Sequence, residues 1–567
     1  MTIFNYEQHE LLGTVESVDT STVVIRVEDD EKLKGLQVNH LVSTQSSKNG
    51  QHLIGLVSKI IRKQAQIDLS FEVVGEPSFN IIKVVLIGTH YDKDGVKENV
   101  FRRTLSTVPE INAECYMIQG DRLKKFMQAI SSLSNDDSMC LKIGSYSIDE
   151  EATAWLNGNK LFQRHAVIVG STGSGKSWCV AKVLEQVARL KSANAILFDI
   201  HGEYAPLIGD NFKHYKIAGP FDAKNDDNMF LPYWLLTYEE MLSLMLDRSD
   251  NNAPNQAMVF SNTVIEGKRD YLVSIDKEAL SANITLDSPV PYSLSKLIEK
   301  LQYLDTERVE TGRAGGRGGT YYDKLTRFIQ RLSTKQSDKR LNFMFSDDLA
   351  LLDYGYMEDL CKKLIQPASL GKSGIKVINF SEVPSDILPL IVSLMARIIF
   401  SVQQWTEAEK RHPVAIFCDE AHLYIPAATN KSIDATSLDT FERISKEGRK
   451  YGVGLVVISQ RPSEVNRTVL SQSNNFIAMR LTNIDDQTVV KRLLPDSLGD
   501  YAQMLPILDI GEALIVGDAS LLPSRIKVTP PELKPKSATI EFWDEWSKDS
   551  VDVDLSKAIE SLRKQSK

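Results

Sequence analysis

Eight consecutive residues carry the clearest chemistry in the chain: Gly170-Ser171-Thr172-Gly173-Ser174-Gly175-Lys176-Ser177. They fit G-x-x-x-x-G-K-[ST] and lie between a short apolar run, Ala166–Val169, and an amphipathic stretch over 177–191. Strand, loop and helix in that order are the context the motif requires. The glycines let the backbone curl, so that successive N–H groups face phosphate oxygens. The positive end of the following helix adds to the field. Lys176 brings a mobile positive charge to the β- and γ-phosphates of a nucleotide, and the Ser177 hydroxyl suits Mg²⁺. Gly170 through Ser177, with Trp178 directly after, are the candidate ATP contacts.

A second apolar run, Val414-Ala415-Ile416-Phe417-Cys418, ends in two acids, Asp419 and Glu420, followed by Ala421 and His422. Downstream of a phosphate loop this is a Walker-B arrangement. Asp419 is the expected Mg²⁺-shell acid. Glu420 is the expected residue that orients and polarises an attacking water. A site that only binds has no use for the second acid, so Glu420 points to hydrolysis.

Three further stretches sit where a nucleotide site draws its remaining groups. Asp199-Ile200-His201-Gly202-Glu203-Tyr204 follows another apolar run, and strand ends of this kind are where open α/β sheets bind ligands. Asp199 and Glu203 either support metal or water or simply close a turn, and His201 reads as structural. Gln460 ends the run Gly454-Leu455-Val456-Val457-Ile458-Ser459, where a side-chain amide can sense a γ-phosphate. Arg449, in Glu447-Gly448-Arg449-Lys450-Tyr451-Gly452, is either an arginine finger or a favourable contact with a helix C-terminus.

The elements that must position these groups fall into an order. Residues 1–120 contain Val-, Ile- and Thr-rich segments at 13–18, 22–27, 53–62, 67–71, 82–87 and 113–118, separated by turn residues, which predicts a small N-terminal β-barrel. Residues 121–150 read as a helical linker. From 151 to 205 strands alternate with helices, the pattern of a parallel sheet. The alternation stops over 206–372, read as a helical insertion. It resumes over 373–530 and ends at a proline-containing segment, leaving a polar tail at 531–567.

Composition bounds the class. A chain of 567 residues suggests three or four units at about 150 residues each. With 42% hydrophobic and 25% charged residues it is not wholly disordered. A net charge of −9 excludes indiscriminate coating of nucleic acid, although a local basic channel remains compatible. The five cysteines include no C-x-x-C pair, which predicts a reduced, cytoplasmic setting and no structural zinc. The first residues show no signal-peptide pattern. The apolar stretch 387–402 is interrupted by Pro389 and Arg397, so it is expected to be a buried helix rather than a membrane span.

Taken together, the motifs resemble those of the HerA family of hexameric DNA translocases, in the HerA–FtsK group, and specifically a bacterial member. The resemblance rests on Arg164-His165 through Ser177, Asp199 through Tyr204, Cys418 through His422, Glu447 through Gly452 and Ile458 through Pro462. It implies an α/β fold: a RecA-like P-loop ATPase core with an N-terminal HAS-barrel-like domain and a helical insertion. It implies a homohexamer with ATP and Mg²⁺ between subunits and double-stranded DNA in the channel. It favours Arg449 as a finger acting on a neighbour and adds Arg480 as a nucleotide contact. Family members work with an effector docked on the barrel face, a nuclease in DNA-end resection or a sirtuin-like protein in anti-phage defence. Arg313, Arg317 and Lys431 are expected DNA-facing positions, against the alternative of solvated loops. A conjugation or secretion ATPase and an ATP-switched scaffold are the rival readings.

Overall fold

The computed structural model describes residues 3–63, 79–95, 97–131, 140–309, 317–346, 348–369, 373–428, 432–494, 496–520, 522–536, 542–548 and 555–564. The fold is α/β: a RecA-like P-loop core, a closed N-terminal barrel and a largely helical insertion. It divides into two compact units, Met1–Gln186 with Ser473–Glu532, and Val187–Gln472 with Leu533–Lys567.

The first unit opens with the barrel. Six antiparallel strands run in the spatial order Thr22–Val27, Leu11–Val18, Glu114–Met117, Leu41–Gln45, Gln51–Lys63 and Phe79–Asp94, and the last pairs back to the first. Closure removes the exposed edges that an open sheet would leave. Alternating residues point inward, so Val15, Val23, Ile25, Val27, Leu53, Val57, Ile82 and Val84 form a core with almost no solvent contact. Each such side chain contributes on the order of 1.5–3 kcal/mol by leaving water. The segments expected at 13–18, 22–27, 53–62, 82–87 and 113–118 are strands. The one expected at 67–71 lies outside the described residues. Leu41–Gln45 and Lys97–Arg102 are additional strands.

The same unit carries part of the core sheet. Ala166–Val169 pairs in parallel with Asn475–Met479. The sheet then turns antiparallel through Glu512–Gly517, Ser524–Val528 and the hairpin Cys140–Tyr146 with Asp149–Asn157. Arg103, from the barrel, donates to the carbonyls of Gly517 and Ser520 and lies 3.7 Å from Asp518. These contacts tie the barrel to the antiparallel strands.

The second unit is built on six parallel strands in the order Asn228–Met229, Phe212–Ile217, Ile375–Asn379, Ala195–Asp199, Val414–Cys418 and Val453–Ser459. Ala195–Asp199, Val414–Cys418 and Val453–Ser459 are apolar up to their last residues and buried along their whole length, as parallel strands covered by helices should be. Leu388–Trp405 packs beside them and is mostly buried. It is the one helix among the described residues with the length and apolarity to cross a membrane.

The region 206–372 is mainly helical, with helices at Tyr238–Met245, Ala253–Ser274, Leu294–Thr306, Thr326–Ser337 and Tyr356–Ile365. Two of its segments, Phe212–Ile217 and Asn228–Met229, are instead strands that widen the sheet. Arg397 fastens the insertion to Leu388–Trp405 by donating through Nε and Nη2 to both oxygens of buried Glu240, each at 2.7 Å. Glu240 also closes the capping box of Tyr238–Met245 with Thr237.

Candidate nucleotide and hydrolysis site

In the first unit the phosphate loop joins the strand Ala166–Val169 to the helix Lys176–Ala188. Gly173 and Gly175 adopt φ of 75° and 98°, a region that L side chains rarely enter. A Cβ on Gly175 would also press within 3.3 Å of Gly511. The loop is held from outside. Ser171 N–H donates to the Arg480 carbonyl at 2.9 Å, and Ser174 accepts from Gly511 N–H at 2.9 Å. Thr482 N–H donates to Ser171 Oγ at 3.2 Å. Arg480 therefore stands one residue past its strand, Asn475–Met479, against the loop by its own backbone.

Lys176 is only 7% exposed, and Ser174 is fully buried. Ser177 and Trp178 are half-buried, while Thr172 and Gly173 are open to solvent. Cys179, one turn into the helix, is fully buried, which pushes its thiol up to about 12 and leaves it without nucleophilic character.

In the second unit the strand Val414–Cys418 is buried along its whole length and delivers Asp419 and Glu420 at its C-terminal end. Both acids are more than nine-tenths buried. Glu420 adopts φ 45° and ψ 46°, a left-handed conformation that costs a non-glycine residue on the order of 1–2 kcal/mol. The surroundings enforce it. Leu423 N–H donates to the Glu420 carbonyl at 3.0 Å, and the hydroxyl of fully buried Tyr424 donates to the Asp419 carbonyl at 2.8 Å. Strain imposed on one acid beside a second acid is characteristic of a working site.

Beside these acids, His422 Nδ1 lies 3.3 Å from Glu420 Oε2 and 3.3 Å from Ser459 Oγ. Ser459 ends the strand Val453–Ser459, and half-buried Gln460 follows it. Arg449 is exposed in the last turn of the helix Ser432–Tyr451.

Of the two readings of Asp199, the turn prevails. Its Oδ1 accepts from the N–H groups of Gly202 at 2.8 Å and Glu203 at 3.0 Å, and its Oδ2 from Tyr204 at 3.0 Å. Burial still holds its carboxyl above the usual range, the three N–H groups offsetting part of that cost. Arg313 and Lys431 lie outside the described residues. Arg317 opens a two-residue strand, Arg317–Gly318, paired with Arg308–Val309.

Sequence reasoning assigned no role to Tyr424, Ser459 or His422. His422 stood two residues after Glu420 in the motif, which was its only signal. Ser459 carried none, since a serine at a strand end is ordinary.

Residues 141–399 match the family model described as Helicase HerA, central domain, and residues 357–551 match Helicase HerA-like C-terminal. The DNA double-strand break repair helicase HerA of Saccharolobus solfataricus is 26% identical over 428 residues, covering 74% of each chain. Its counterpart in Sulfolobus acidocaldarius is 26% identical over 389 residues, covering 68% of each. Among solved structures, a bacterial conjugative coupling protein, TrwB lacking its N-terminal segment, aligns over 74% of this chain and 94% of that one. The alignment has 12% identity and a TM-score of 0.45.

Proposed function

Because the chain belongs to the HerA helicase family, we propose that this ATP-hydrolysing helicase works as a homohexameric translocase on double-stranded DNA. Its ATP sites lie between subunits, and it serves a nuclease or sirtuin-like effector docked on the barrel, with anti-phage defence as the setting. The observation that supports hydrolysis best is Glu420, a buried acid held in a strained backbone conformation directly after Asp419.

In this reading the backbone N–H groups of Gly170 through Ser177 and the Lys176 ammonium bind the β- and γ-phosphates. Trp178 and Arg480 add nucleotide contacts. Ser177 and Asp419 present hard oxygen donors of the kind Mg²⁺ takes, and they would hold it. When bound, Mg²⁺ neutralises charge on the phosphate oxygens. Glu420 accepts a proton from water and orients it toward the γ-phosphorus. Gln460 senses that phosphate. Arg449 reaches the nucleotide of a neighbouring copy and stabilises charge in the transition state.

The test is steady-state ATPase activity with and without linear duplex DNA, with Glu420→Gln measured alongside. The expected result is stimulation by DNA in the wild type, and tight ATP binding with at least about a hundredfold lower turnover in the variant. Turnover indifferent to DNA would replace the translocase by an ATP-switched scaffold.

A further inference from the structure

In the second unit Glu420 is met by two polar side chains that have no role yet in binding or hydrolysis, Ser459 and His422. Ser459 Oγ is wholly buried and already accepts the Arg461 N–H at 3.0 Å. Glu420 is 7% exposed. Between them stands the His422 ring, whose Nδ1 is 3.3 Å from each oxygen.

One ring nitrogen carries one proton or one lone pair, so it makes one good hydrogen bond at a time. At 3.3 Å both contacts are longer than an optimal bond, and small shifts of either partner decide which one forms. The backbone on the acid side is fixed. Ala421–Leu423 is a single tight turn, and the Tyr424 carbonyl accepts from buried Ser437 Oγ at 2.9 Å. On that side the movable parts are therefore the His422 ring and the Glu420 carboxylate. The opposite partner, Ser459, is covalently next to Gln460.

The geometry points to His422 as a positioning residue that links Gln460 to Glu420 by way of Ser459. The inference rests on the reading of Glu420 as the group that activates water and of Gln460 as the γ-phosphate sensor. When Gln460 engages the phosphate, Ser459 shifts with it. The Nδ1 contact then passes between Ser459 and Glu420, and the carboxylate is released or set accordingly. Hydrolysis becomes conditional on a phosphate that is correctly seated. His422 needs no contact with nucleotide for this.

The test uses the full chain with Mg²⁺ and compares His422→Ala, His422→Asn, Ser459→Ala and the double variant His422→Ala/Ser459→Ala. An asparagine amide reaches the place of Nδ1, so it keeps the link without the ring. Turnover and KM for ATP are measured beside equilibrium binding of a fluorescent ATP analogue. The expected result is about tenfold lower kcat in each single alanine variant, nucleotide affinity within about twofold, and recovery of most of the rate in His422→Asn. The double variant falls no further than the worse single one, because the two residues act as one link. Unchanged kcat in His422→Ala overturns the inference. So does a loss that His422→Asn does not repair and that nucleotide binding shares. If His422→Ala does not fold, His422→Asn and Ser459→Ala decide alone: near-normal kcat in the first with a tenfold loss in the second supports the link, and normal kcat in Ser459→Ala overturns it. Wild-type turnover in Glu420→Gln overturns the underlying reading. An inactive Glu420→Gln beside a fully active His422→Ala overturns the His422 link alone.

Discussion

His90 shows how strongly a single side chain can tie this protein's stability to pH. Its ring is completely buried, packed edge-on against Phe4 at 4.7 Å and close to Phe126 and His52. Neither ring nitrogen has a hydrogen-bond partner, and Asp92, the nearest acid, is 3.9 Å from Nδ1. Burial, reinforced by the neighbouring His52, pulls its pKa from 6.5 down to about 4. The unfolded chain thus binds a proton between pH 6.5 and 4 that the folded barrel refuses, so stability falls as pH drops through this window. The expected loss from pH 7 to pH 5 is about 1–2 kcal/mol, from a full shift of roughly 2.5 units at 1.36 kcal/mol each. His90→Phe should remove this dependence, read as the change in the first calorimetric transition between the two pH values. An equal pH response in the variant would assign the effect to other groups. Lys376 and Lys268 behave in the same sense at higher pH. Each is buried without a carboxylate among its hydrogen-bond acceptors and is pulled from 10.5 down to about 8, so each imposes a cost that grows as pH falls from about 10.5 to 8.

At the scale of elements, the hairpin Cys140–Tyr146 with Asp149–Asn157 is the informative case. A Cβ on Gly144 would lie 2.0 Å from the Lys527 carbonyl oxygen, so the strand can approach Ser524–Val528 only with glycine there. The register also shifts between Lys142 and Gly144. Gly144→Ala should cost about 1–3 kcal/mol through this clash, measured as a lowered urea midpoint. The phosphate loop itself, in a different stretch of chain, should keep its ATP affinity. This hairpin shows where sequence reading stops. The first strand is interrupted by a bulge. The second does alternate, with Ala152, Ala154 and Leu156 buried, but two of its inward residues are only alanine and half-buried Trp155 stands between Ala154 and Leu156, so the polar–apolar contrast is weak. Phe212–Ile217 was missed for a related reason, since its lysines and histidine hide a strand that lies near the sheet edge. By contrast Ala166–Val169, Ala195–Asp199, Val414–Cys418 and Val453–Ser459 were legible, because a strand buried on both faces is apolar at every position. The candidate groups at their ends were legible as residue types for the same reason. The partners that hold them, such as Tyr424 and Ser459, were not, because their roles arise from packing between segments distant in sequence.

For the whole molecule, the decisive question is whether one copy completes another's site. A net charge of −9 leaves no general attraction for DNA, so the proposed translocase requires a local basic channel, and the proposed ring requires coupling between copies. Arg449 is the residue on which this turns. It is exposed at the end of Ser432–Tyr451, where a cation also gains from the helix dipole, and exposure alone does not separate the two roles. Complementation does. Lys176→Ala and Arg449→Ala should each abolish turnover as pure proteins. Co-expressed with different tags and purified as mixed assemblies, they should regain activity. A site with Lys176 from one copy and Arg449 from the other is whole, and random mixing of equal amounts makes about a quarter of the sites so. ATPase activity well above either parent, approaching that fraction of the wild-type rate, would establish action between copies. If the mixed assembly stays as inactive as its parents, each Arg449 serves its own subunit or only its own helix. Turnover would then be set within one chain, with no need for a ring to be closed before ATP is hydrolysed.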